Sequence, residues 1–200
     1  MGNSSNIICG VGIRDIRNDG TCPFQLRWKT MINRCYSKYV HEKRPTYSDK
    51  EVCQEWLTFS NFKAWMEKQD WEGLDLDKDI LIVGNKEYSP IACCFVPSEV
   101  NNIILLKSKN KQLPFGVSKF SDNNFRARLF KNGKDTSLGS FKSSSEAHKA
   151  WQWAKATQIE EVVAWYALQK SFRTDVAEAL TLRTWNIRID HSKNLQTNTL

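Results

Sequence analysis

Two sets of residues have the types and the spacing to do chemistry. In the first, Asp77-Lys78-Asp79 is followed downstream by the amide pair Asn101-Asn102. A hard cation takes oxygen ligands, so a carboxylate on one element and an amide oxygen on another could bracket an ion beside a scissile phosphate, where a nearby base would activate water. In the second, Arg126 and Arg128 alternate with Phe125, Ala127 and Leu129. Side chains on a strand alternate faces, so the two guanidinium groups share one face while the apolar residues share the other. A sheet ribbon can enter the major groove, and arginine there can bridge guanine O6 and N7. Lys119, Lys131, Lys134 and Lys142 add positive charge on neighbouring strands and turns. Each set also has a plainer reading: D-x-D is a common pattern, and arginines can simply keep an exposed sheet face soluble.

The elements that must position these groups follow from periodicity. Residues 24–39 and 52–69 carry apolar side chains at helical spacing, separated by a polar stretch, 38–48, in which Pro45 breaks any helix. Residues 76–83 predict a strand closed by a Gly84-Asn85 turn, 92–96 a second strand, and Ser98 caps a helix with Val100, Ile103 and Ile104 on its apolar face. Strand, strand, helix is the skeleton of a ββα unit, with Asp77 to Asp79 on its first strand and Asn101 and Asn102 on its helix. A charged linker, 107–112, marks a domain boundary. Beyond it, residues 115–120, 125–130 and 136–141 predict three strands, with turns at Asp122-Asn123-Asn124 and Asn132-Gly133-Lys134. Ser143 and Glu146 form a capping box before a helix over 144–169 that packs through Ala147, Ala150, Trp151, Ala154, Val162 and Trp165. A shorter helix, 174–182, follows. The expected fold class is α+β: a helical N-terminal region with a ββα unit (1–106, including an extended arm over the first twenty residues), a three-stranded antiparallel sheet on a long helix with further C-terminal helix (107–190), and a frayed polar tail (191–200).

Charge sharpens this division. The chain has 200 residues and a net charge of +7, and 40% hydrophobic residues with eight Trp and ten Phe are enough for packed cores. Residues 1–106 carry 13 basic and 14 acidic side chains, 107–155 carry 11 and 3, and 156–200 carry 5 and 5. The whole excess lies in one stretch of strand-like sequence, which suits a polyanion such as nucleic acid better than a membrane surface. No apolar run reaches bilayer length and no signal segment is evident, so a cytoplasmic protein without a membrane partner is expected. Asn6 stands where a myristoylation motif at Gly2 wants Ser or Thr. Six cysteines without C-x-x-C pairing predict free thiols rather than disulfides or a closed zinc site.

Two resemblances cover most of the chain. Trp28, Met31 and Arg34-Cys35-Tyr36 come first. Val52-Cys53, Glu55-Trp56, Phe59 and Phe62 follow. Then come Leu76-Asp77-Lys78-Asp79, Gly84-Asn85, Tyr88-Ser89-Pro90, Cys93, Phe95-Val96 and Asn101-Asn102. Over residues 24–106 this order resembles the phage HNH-type homing endonucleases. Phe115-Gly116-Val117, Phe125-Arg126-Ala127-Arg128, Leu138-Gly139-Ser140-Phe141, Glu146-Ala147, Ala150-Trp151 and Ala154 resemble the AP2 domain over residues 113–160.

The first resemblance implies a Mg²⁺-dependent or other divalent-cation-dependent nuclease, acting in the cytoplasm of an infected bacterial host. In it Asp77 and Asn102 would hold the metal, with Asp79 as an alternative register. Lys78 stands where the family has its general-base His, and Ala92 where it has an Asn. The second implies a sheet that reads double-stranded DNA through Arg126 and Arg128 with Lys119 and Lys131. Three functions stay open: an endonuclease that nicks or cuts DNA, a catalytically degenerate DNA-binding regulator or anti-host factor, and an inhibitor that turns the same surface on a host protein partner.

Overall fold

The computed structural model describes residues 6–17, 21–106, 112–131 and 133–200. The expected charged linker, apart from Gln112, lies outside the described residues, as do Gly2, the first and last residues of the expected arm, and Asn132 of the second hairpin turn. The chain is mixed α+β and divides into two compact units, 1–96 and 97–200.

In the first unit the expected arm contains a small hairpin, β1 (Ile7–Ile8) with β2 (Gly12–Ile13). The helix α1 (Pro23–Tyr36) buries Trp28, Met31, Ile32 and Cys35 on the stripe its spacing predicts. Pro45 does stop a helix, but the polar stretch before it still forms one, α2 (Lys38–Lys43), followed by a 3₁₀ turn at Pro45–Tyr47. The single helix expected over 52–69 is broken into three pieces: a short strand β3 (Glu51–Val52), a 3₁₀ turn (Gln54–Leu57) and α3 (Phe59–Met66). Helical spacing survives the break because 3₁₀ and α turns place neighbours on similar faces. Asp15 supplies the missing cap of α3, its Oδ1 accepting the Ser60 N–H at 3.0 Å.

Around this core, β4 (Asp75–Asp77) pairs antiparallel with β6 (Cys94–Val96), while β5 (Glu87–Tyr88) pairs parallel with β3. Trp28, Trp56, Phe59, Phe62 and Met66 are fully buried, and the Trp28 Nε1–H donates to the Trp56 carbonyl at 2.7 Å. An indole buried this way keeps its polar group satisfied.

The second unit opens with α4 (Ser98–Ile103), which packs on α5. The helix of the expected ββα skeleton therefore falls in the second unit and its strands in the first. The strands β7 (Val117–Ser121), β8 (Asn124–Lys131) and β9 (Lys134–Phe141) form an antiparallel sheet in sequence order. It packs on α5 (Ser144–Tyr166), whose N-terminus carries the predicted capping box in both directions, Glu146 N–H to Ser143 Oγ at 3.1 Å and Ser143 N–H to Glu146 Oε2 at 3.2 Å. Gly116 has φ +73°, and a Cβ there would sit 1.9 Å from Cδ1 of Trp151, so only glycine lets β7 lie down on that ring.

The last helix, α6 (Thr174–Ser192), runs ten residues beyond the expected end and returns along α5, tied by Arg188 to Glu160. The tail after it is not frayed. Thr197 is buried, its N–H donating to Nε2 of His148 at 3.1 Å, and Gln152 Nε2 donates to the Leu195 carbonyl at 2.9 Å. A polar tail docks where buried side chains offer it hydrogen bonds that composition alone does not reveal. All six cysteines are free thiols.

Candidate nucleic-acid interface

The sheet sorts the basic residues by face. Residues opposite each other in an antiparallel pair share a face. Ala127 and Leu129 of β8 are buried, with Phe125 half-buried, against α5. Arg126 and Arg128 therefore lie on the other, outer face. Arg126 stands opposite Ser118 and Ser140, and Arg128 opposite Ser137. By the same register Lys119 stands opposite Phe125 and so belongs to the helix side. Lys131 has the parity of Phe125, Ala127 and Leu129, and its ammonium pairs with Glu161 of α5. Lys134, opposite Lys131, shares that side. Lys142 follows Ser140 on the outer parity, and its Nζ reaches Oδ1 of Asn124 at 3.2 Å. Of the six expected DNA-binding residues, the fold gathers Arg126, Arg128 and Lys142 on one face and turns Lys119, Lys131 and Lys134 to the other.

The outer face also holds groups that were not singled out. Phe120 is 63% exposed, and the Arg126 guanidinium lies 4.3 Å from its ring centroid. Such stacking holds a guanidinium plane flat and lowers the entropy lost when it binds. Phe130 is exposed on the same parity, and Asp135, opposite it, pairs with Arg128 at 3.1 Å. Alternation along β8 reaches Phe130, whereas Phe120 and Asp135 follow only from the pairing register. A β-bulge between Ala127 and Arg128 shifts the register with β9, and no local sequence pattern announces it. The arrangement presents two planar cations, one of them paired with a carboxylate, one ammonium, two aromatic rings and a row of serine hydroxyls from a twisted antiparallel ribbon. That chemistry suits phosphate oxygens and base edges.

The other expected site is built differently. Asp77 and Lys78 are 6% and 2% exposed. Only Asp75–Asp77 of the expected strand pairs, because the Asp77 carboxylate ends it: Oδ1 accepts the N–H of Asp79 at 2.8 Å and of Ile80 at 2.7 Å, turning the chain. Burial pushes the Asp77 carboxyl above the usual carboxylate range, and the two backbone N–H groups oppose that shift. The Lys78 ammonium donates to Asp79 Oδ1 at 2.5 Å and to the Asn85 carbonyl at 3.2 Å, and lies 5.7 Å from the Tyr88 ring centroid. Asn85 closes the loop by donating to the carbonyls of Lys78 at 2.7 Å and Glu87 at 2.6 Å. The Gly84-Asn85 pair thus acts as a staple as well as a turn.

No family model matches the chain, and no curated protein or solved structure matches it.

A divalent cation at Asp77 would need several oxygen donors. Oδ1 already accepts two N–H groups. Among the described residues no group of three His, Cys, Asp or Glu side chains gathers in a way that could hold an ion. Oδ1 of Asp77 is committed to the turn. What the Asp77–Lys78–Asp79–Asn85 cluster can do is fix the loop between β4 and β5 through satisfied buried polar contacts.

Proposed function

We propose that this chain binds duplex DNA with a sequence preference, reading it through the outer face of the β7–β9 sheet. The observation that carries this reading is the register. It sets Arg126, Arg128 and Lys142 together on the exposed face, inside the stretch that holds the chain's whole charge excess. Arg126 and Arg128 contact base edges, where a bidentate pair to guanine contributes about 1–3 kcal/mol of discrimination. Phe120 offers an apolar contact to a thymine methyl, and Lys142 meets phosphate.

Selection from a random-sequence duplex pool tests the reading. Retention of duplexes that share a short recurrent motif is expected; no retention at any salt concentration contradicts it. A phage origin and a cytoplasmic site of action in a bacterial host belong to the HNH and AP2 resemblances and stand with this proposal.

The HNH resemblance also favours a nuclease that nicks or cuts with Mg²⁺ at Asp77. The inward, engaged placement of Asp77 and Lys78 supports the binding reading over the cutting one, because groups already committed to the loop offer little to a scissile phosphate. Nicking of supercoiled plasmid with Mg²⁺ or Mn²⁺ that vanishes in a folded Asp77→Ala variant would restore the nuclease reading. Capture of a host protein that competes with DNA for Arg126 would favour the inhibitor.

A further inference from the structure

The near-neutral charge of the first unit hides a segregated one. Residues 1–96 carry 13 basic and 13 acidic side chains, yet residues 27–50 carry 7 basic and only 2 acidic. Arg27, Lys29 and Arg34 lie on α1, Lys38 and Lys43 on α2, Arg44 at its junction with the 3₁₀ turn and Lys50 beyond that turn, and the rest of the unit carries the compensating acidic excess.

Neither α2 nor the 3₁₀ turn buries a single side chain. They are nonetheless held firmly from below. The Ser37 N–H donates to the Asn33 carbonyl at 3.1 Å, the His41 Nε2 lies 3.0 Å from the Arg34 carbonyl, and the Arg34 guanidinium lies 5.6 Å from the Tyr47 ring centroid. A helix that contributes nothing to the core but is fixed in place serves as a surface.

What it presents is Lys38, Lys43 and Arg44, all exposed, with Tyr39 at 69% exposure and Lys43 Nζ 6.0 Å from its ring centroid. Among the described residues none of these three cations has a carboxylate partner. Glu42 is the one acid on α2. Asp49 is taken by Lys50 at 2.8 Å and Lys86 at 3.2 Å, which hold its carboxyl down at about 2.

We propose that α2 and its following turn form a second duplex-DNA contact, one that grips phosphate without reading sequence. The inference rests on the reading of the chain as a DNA-binding protein. Six helical residues span about 9 Å, and a duplex offers one phosphate charge per about 1.7 Å of axis, so three long cationic side chains spaced along it can each reach a phosphate. Lysines act as point charges on phosphate and carry no base information, and Tyr39 packs against sugar edges beside them.

The test compares three full-length proteins for binding to a labelled duplex across a salt series: wild type, Lys38→Ala/Lys43→Ala/Arg44→Ala, and Arg126→Ala/Arg128→Ala. The affected side chains of the triple variant are exposed, so an unchanged melting temperature checks its fold. Binding by the triple variant is expected to weaken about tenfold or more on every sequence. Its slope of log affinity against log salt should flatten by about 2 to 3, from roughly 0.9 per lost phosphate contact. Unchanged affinity and slope in the triple variant, with binding lost in the arginine pair, overturns this inference and leaves the sheet reading intact. The reverse pattern supports the inference and removes the sheet. Wild type that binds no duplex overturns both.

Discussion

Asp77-Lys78-Asp79, where β4 ends in the first unit, and Arg126-Ala127-Arg128 on β8 in the second are short charged stretches, and the fold gives them opposite surroundings. The first pair of charges turns inward and is answered locally: backbone N–H groups meet Asp77, and Asp79 with a carbonyl meets Lys78. The second pair points outward, Arg126 beside an aromatic ring and Arg128 against the surface carboxylate of Asp135, with the apolar residues between and around them taking the buried side. A buried charge must be paired and hydrogen-bonded or it costs several kcal/mol, so such groups support the fold first. A charged face displayed on a rigid sheet contributes little to stability and is free to meet a ligand. The same kinds of residue serve structure in one unit and, in the proposed reading, recognition in the other, and the direction of the side chain decides which.

The sharpest way to break the comparison is Asp77→Ala. It strands two backbone N–H groups that now donate to a carboxylate, so a loss of about 3 kcal/mol in the stability of the first unit is expected in denaturant unfolding. DNA affinity of the folded fraction should stay near that of wild type. A stable variant with impaired DNA processing would reverse the assignment.

Within the second unit, Phe120→Ala should weaken DNA binding by about fivefold by releasing Arg126 from its stack, roughly 1 kcal/mol. Lys119→Ala and Lys131→Ala, on the helix side, should each change it less than that in the same titration. Larger losses at Lys119 than at Phe120 would mean that the faces have been exchanged.

The smallest effect concerns a buried ring in the second unit. His148 lies 2.9 Å through Nδ1 from the Phe115 carbonyl and accepts the Thr197 N–H at Nε2, so the fold holds it neutral, and burial lowers its pKa below the ordinary 6.5. Asp190, which accepts from the Thr197 hydroxyl, and the Phe115 carbonyl oppose the shift. Because the unfolded chain takes up the proton first, the stabilisation is complete above pH 6.5 and is lost as the pH falls toward the folded value. The protection factor of the Thr197 amide, its exchange rate relative to the intrinsic one, should fall below pH 6.5 in wild type. His148→Phe should show fast exchange at every pH.

Much of the fold was legible because its signals are local. The helical stripe of α1, the alternation of β8, and Ser143 with Glu146 each name an element without outside help, and the structure puts all of them where they were expected. What was not legible depends on distant partners. Trp56, Phe59 and Phe62 keep helical spacing through a 3₁₀ turn and a break. The Asp77 strand ends early because its own carboxylate captures the chain. The docked tail depends on His148 and Gln152, which lie far back in the sequence. For the sheet, alternation identified Arg126 and Arg128. It would equally have placed Lys131 with Phe125 and Leu129 had it been carried to the end of the strand, whereas the facing of Lys119 required the pairing register.

The central claim is that the outer face of the sheet reads duplex DNA, and Arg126→Ala/Arg128→Ala measures it most directly. With a duplex recovered from selection, the double variant should bind about a hundredfold or more weakly and lose its preference over unrelated sequence, since each arginine contributes roughly 1–3 kcal/mol. Its melting temperature should stay that of wild type. Wild-type affinity and preference in a folded double variant would contradict the account.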